Sequence, residues 1–144
     1  MRNSIYLAGL FVLFLIACKK DEVLPAQEVN NMDTNVSDTI GKGTFTSYAH
    51  ELGGRAILYN ETSGVKNIRL ENFNMTPGPE VYLFLSTTSS YSAANVVEIQ
   101  KLTTGYSNST INFAVNNADY TPAHKYVLVY CIQFSTLFGY AELK

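Results

Sequence analysis

From Gly41 onward the chain consists of short apolar or alternating runs, each closed by Gly, Pro, Asn, Asp or Ser, and no run keeps the 3.6-residue spacing of a helix. The pattern predicts strands over Gly43 to Tyr48, Arg55 to Asn60, Val65 to Phe73, Val81 to Ser86, Val96 to Leu102, Thr110 to Val115, Lys125 to Phe134 and Leu137 to Leu143. The third alternates through its middle, with Ile68 and Leu70 inward and Asn67, Arg69 and Glu71 outward, while Lys66 and Phe73 break the phase at its ends. The run Tyr126-Val127-Leu128-Val129-Tyr130-Cys131-Ile132 is apolar on both faces, which predicts a central, buried strand with Cys131 on the side of Val127 and Val129. Turns are expected at Gly53-Gly54, at Glu61-Thr62-Ser63-Gly64 and at Pro77-Gly78-Pro79. Thr87 to Asn95, rich in Ser, Thr and Ala, reads either as a long loop or as one helical turn. The fold class is all-β, a single antiparallel β-sandwich or partly closed barrel of about eight strands.

Before Gly41 the pattern differs. Ile5 to Ile16 is an apolar run preceded by Arg2 and too short for the roughly 20 residues that a membrane-spanning helix needs. It ends in Leu15-Ile16-Ala17-Cys18, which resembles the lipobox of bacterial lipoproteins: cleavage after Ala17 and a diacylglycerol on the Cys18 thiol are expected. An ordinary secretory signal with an incidental cysteine is the alternative. Lys20-Asp21-Glu22 resembles the surface-export signal of Bacteroidota lipoproteins. It places the domain outside the outer membrane, with the periplasmic face as the alternative. Acyl chains at about 0.8 kcal/mol per buried methylene would hold the chain on a membrane.

Residues 18–40 are polar and show neither period, so they read as a flexible tether between a signal peptide, 1–17, and the β domain, 41–144. Within it Asp38-Thr39-Ile40 resembles a bacterial O-glycosylation acceptor, with Thr39 as the modified residue.

Composition narrows the function classes. Net charge is −2 and becomes −3 once Met1 to Ala17, with one basic residue and no acid, is removed. This lacks the basic field that nucleic acid requires, so no nucleic-acid partner is expected. With 47% hydrophobic residues, ten Tyr and eight Phe the chain can bury a core. Lipidation of Cys18 leaves Cys131 without an intrachain partner and excludes a structural disulfide in the mature monomer.

Chemistry-bearing motifs are sparse. His50 and His124 are the two histidines, and no nucleophile elbow, phosphate-binding loop or HExxH helix occurs. His50, His124, Cys131, Glu51 and Asp119 are individually usable ligands but have no metal-ligand spacing, so no metal site is assigned and a metal stays open without a motif. The absence of Cys-x-x-Cys-His excludes ordinary c-type haem. A non-covalent haem on His50, Met75 or Cys131 stays open, and no motif supports it.

Several pieces in order carry a family resemblance: Gly43-Thr44-Phe45 leading to His50 and Gly53, Leu70-Glu71-Asn72-Phe73, Gly78-Pro79-Glu80-Val81-Tyr82-Leu83, Gly105, Val129-Tyr130-Cys131 and Phe134, Phe138-Gly139 and Ala141-Glu142-Leu143. Together they resemble the DM-thirteen electron-transfer domain from about Gly41 to Leu143. The resemblance implies a β-rich domain with one cysteine acting in redox chemistry, as a bare thiol or through a prosthetic group, and Cys131 falls on that position. The family usually has Trp before this cysteine, where Tyr130 stands here.

Two functional readings follow. In one, Cys131 is a redox thiol in extracytoplasmic electron transfer, helped by His50 or by a lysine such as Lys125; whether that amounts to catalysis stays open. In the other, a non-catalytic surface module presents aromatics such as Tyr91 and Tyr106 to a glycan or protein partner, and Cys131 is inert core. Its position in an apolar strand favours the inert form, because a reactive thiol needs a cationic, partly exposed site.

Overall fold

The computed structural model describes residues 36–144. Cys18, Lys20, Asp21 and Glu22 lie outside the described residues, as does the apolar run before them. Eight strands follow in chain order: β1 Val36–Ser47, β2 Leu52–Glu61, β3 Lys66–Met75, β4 Val81–Ser86, β5 Val96–Leu102, β6 Tyr106–Val115, β7 Tyr126–Cys131 and β8 Thr136–Glu142. Every pairing is antiparallel, and the order β5-β4-β7-β8-β1-β2-β3-β6 makes a nearly closed sandwich.

Closure depends on β1. Its residues from Val36 to Thr44 pair with β2, and Phe45 to Ser47 pair with β8. One strand thus belongs to two sheets, which we call sheet A (β1, β2, β3, β6) and sheet B (β1, β8, β7, β4, β5). At the crossing, Lys42 and Lys144 exchange two backbone hydrogen bonds of 3.0 Å. Gly43 lies so close to Glu142 that any Cβ would overlap its carbonyl.

β1 begins earlier than the polar sequence suggests. Residues 36–40, expected in the tether, form strand: Asp38 pairs with Asn60 and Thr39 with Tyr59. Their side chains carry no period of two because Asp38 and Thr39 are exposed and the ladder bulges at either side of them. Gly53 and Gly54 are also strand rather than turn. Gly54, at φ +99°, forms the bulge that lets β2 bend against the Glu71 and Asn72 carbonyls. β7 stops at Cys131, and 132–135 form the turn that closes with Ser135 N–H donating to Ile132 O at 3.2 Å. The 87–95 segment is a loop, closed where Thr87 N–H donates to Asn95 O at 3.1 Å.

The core lies between the sheets. Ile68, Leu70, Phe73, Leu83, Val127 and Val129 are each fully buried. Phe73 breaks the alternation of β3 because Asn72 adopts φ +49° and the register with β6 shifts between Leu70 and Phe73, so the bulge returns Phe73 to the inside. Asn67 faces outward as expected but is covered, donating to Glu61 Oε1 at 2.8 Å. On the outer face of sheet A, Glu71 is paired with both Arg55 and Arg69.

Register places the loops in two sets. At one end stand the connections 48–51, 76–80, 103–105 and 132–135. At the other are the 62–65, 87–95 and 116–125 connections, with Val36 beside Glu61 and Lys144 beside Lys42. The chain therefore enters the domain at the end opposite Cys131.

Candidate functional site around Cys131

Cys131 ends β7, between Val81 of β4 and Thr136 of β8, with its side chain in the core. Only 1% of the residue is exposed. Its thiol donates to the Pro79 carbonyl at 2.9 Å, so one lone pair of a loop carbonyl is satisfied. Pro77-Gly78-Pro79-Glu80 crosses above the thiol as a cap. Gly78 is needed there because a Cβ would press on Val81 and on the Phe138 ring. Glu80 holds φ +51° and its carbonyl accepts from Ile132 N–H at 3.0 Å, tying the cap to the turn after Cys131.

His50 is exposed at the same end, its ring over Phe138 with centroids 4.2 Å apart. Phe138 in turn meets Gly78, so His50 connects to the cap over the thiol rather than to the sulfur. Lys125 precedes the far end of β7, about 20 Å from Cys131 at about 3.3 Å per residue, and cannot serve it. The turn of 132–135 exposes Phe134 at 64%, and Tyr48 nearby is 70% exposed.

The remaining candidates separate. His124 lies at the opposite end, where its Nδ1 accepts from Thr121 N–H at 3.0 Å, and with Asp119 and Glu98 it borders a hollow of about 590 Å³. Thr39 is exposed on β1 at that end. Tyr91 and Tyr106 are not free loop aromatics: both are half-buried, Tyr91 stacked on Tyr130 at 4.1 Å and Tyr106 against Phe73 at 5.4 Å. Each covers an apolar neighbour, which is the usual fate of a turn aromatic on a sandwich.

Among the described residues the donors named for haem or a metal do not converge on one site. Met75 and Cys131 are both buried in the core. A cleft of about 370 Å³ beside the cap is lined by Glu51, Met75, Pro77 and Tyr106 but reaches neither Cys131 nor His50. Among the described residues no three His, Cys, Asp or Glu side chains gather where a metal ion could be held. Glu51 and Met75 share one hollow and His124, Asp119 and Glu98 another, and neither hollow is lined by Cys131 or His50.

The family model described as electron transfer DM13 matches residues 44–143. The chain belongs to the DM13 family. No curated protein and no solved structure matches it. The DM13 match runs from within β1 to just beyond β8, so the cap and Cys131 lie inside it. At family level this match suggests a function related to electron transfer. The aromatic position before Cys131 is filled by Tyr130, whose ring lies on the outer face of sheet B, stacked on Tyr91, while the cysteine points to the core. Sequence reasoning placed Cys131 in a buried strand and missed its hydrogen-bond partner: nothing in Pro77-Gly78-Pro79 beyond a turn signal indicates that the Pro79 carbonyl receives the thiol.

Proposed function

We propose that the protein is a lipid-anchored, surface-displayed envelope lipoprotein whose DM13 domain serves extracytoplasmic electron transfer through Cys131, with the thiol kept closed until the 76–80 cap lifts. The observation that carries this reading is the hydrogen bond from the thiol to Pro79 O at 2.9 Å. The group covering the sulfur is a loop at the surface rather than core, because Thr76, Pro77 and Glu80 are exposed. Loops of this kind open with far less free energy than the strands beneath them.

The second reading, a binding or structural module with Cys131 as inert core, is favoured by the 1% exposure of Cys131 among Val127, Val129 and Phe138. Alkylation of Cys131 measured against denaturant separates the two. Opening of the cap gives a slow labelling rate that does not depend on low denaturant concentrations. An inert core cysteine labels only through global unfolding, so its rate climbs with denaturant from zero upward. The second result would remove the redox assignment.

The anchor rests on Leu15 to Cys18 and the export on Lys20, Asp21 and Glu22. Mass spectrometry of native protein is expected to find the chain starting at an acylated Cys18. On intact cells added protease should cleave the protein, and should spare it once those three export residues are Ala. Retention of Leu15 to Ala17 in the mature chain would refute the anchor. Equal cleavage in both strains would refute the export signal.

A further inference from the structure

The outer face of sheet B holds a chain of rings that the thiol chemistry does not use. Tyr82 stacks on Phe84 at 5.9 Å, Phe84 meets Tyr91 at 5.1 Å, and Tyr91 lies on Tyr130 at 4.1 Å with only 9° between the planes. Aromatic pairs prefer offset-stacked or edge-to-face arrangements with centroids about 4.5–7 Å apart, and this pair is closer than that. Here the 87–95 loop lays Tyr91 flat over the strand residue next to Cys131, and Phe84 beneath it is 3% exposed. Two phenol rings held face to face can share the charge left by loss of one electron, which lowers the energy of oxidising either of them. At the other end of the chain of rings the Lys101 ammonium sits 5.3 Å over Tyr82. A cation on a ring face is attracted to the neutral π-system and repelled by an oxidised one, so it raises the cost of oxidising Tyr82. Both effects point the same way along the row.

We propose that the Tyr91–Tyr130 stack is a one-electron redox site on the surface of the domain. This deepens the electron-transfer reading and rests on it, but it does not require Cys131. In the step a one-electron outer-sphere oxidant on a partner takes one electron from the stack and is reduced by one unit. The tyrosine O–H bond breaks, its proton leaves to water from the half-exposed phenol, and a neutral tyrosyl radical remains. The reverse step takes one electron and one proton.

The test oxidises the full chain, in detergent micelles, with a photogenerated ruthenium(III) polypyridyl complex and follows the tyrosyl radical by optical absorption and electron paramagnetic resonance. Tyr91→Phe and Tyr130→Phe keep the rings and hence the packing while removing the phenol that can lose its proton. The double variant is expected to lose more than half of the radical yield, and Tyr82→Phe to leave it unchanged. An unchanged yield in the double variant, with the radical on the exposed Tyr48, would overturn the proposal. The Cys131→Ser chain is expected to give the wild-type yield. If its yield collapses instead, the oxidised site is the thiol, and the stack fails while the cysteine reading stands. A tyrosyl radical retained in a chain whose Cys131 labels only through global unfolding would uphold the stack and remove the cysteine from the electron path.

Discussion

Gly43→Ala is expected to cost at least about 3 kcal/mol, the upper part of the range for forcing atoms into a packed interior. The side chain would have to share space with the Glu142 carbonyl, and neither partner can give way cheaply because both are backbone. Moving β1 aside would break the paired hydrogen bonds between Lys42 and Lys144 and disturb the crossing at which one strand joins both sheets. Against a total stability of about 5–15 kcal/mol, that loss is large. Gly53→Ala is the control: a Cβ there meets Asn74 at an ordinary 3.8 Å. Urea denaturation of the two variants decides the matter, and equal midpoints would show that the crossing tolerates a methyl group.

Phe73→Ala should be about as damaging, by about 3–5 kcal/mol, since it removes a fully buried ring and leaves a cavity that strands cannot collapse to fill. The ring contacts Phe45 at 5.5 Å and Tyr106 at 5.4 Å, so the hole would open between β1, β3 and β6 at the end that carries the cap. The same denaturation measurement checks it. A loss below about 1 kcal/mol would mean that the neighbouring rings repack, and that Phe73 is not the pivot of this end.

How much of the fold is legible in the sequence depends on whether side chains or backbone carry the information. β7 is plain because six successive residues face apolar surroundings on both sides. Ile68 and Leu70 are plain for the same reason, each answering to a face. The start of β1 is not, since Asp38 and Thr39 contribute backbone pairing while their side chains stay in water. Gly53-Gly54 misleads in the other direction: glycine marks special backbone geometry, and a bulge inside β2 requires it as much as a turn does. At the site, the burial of Cys131 follows from its strand, but its partner is a carbonyl, and carbonyls belong to every residue type alike. The stacking of Tyr91 on Tyr130 joins a loop to a strand across a distance in sequence that no local pattern spans.

The entry of the chain beside Glu61, opposite the cap, also determines how the domain bears a pull. If the chain is held at Val36 and something drags on the 132–135 or 76–80 loops, the load runs lengthwise along β1. The hydrogen bonds joining β1 to β2 lie across that direction. They are then strained together, in shear, rather than unzipped one after another. A hold on the exposed turns would lift the cap from Cys131 well before it drew β1 out of the sheets.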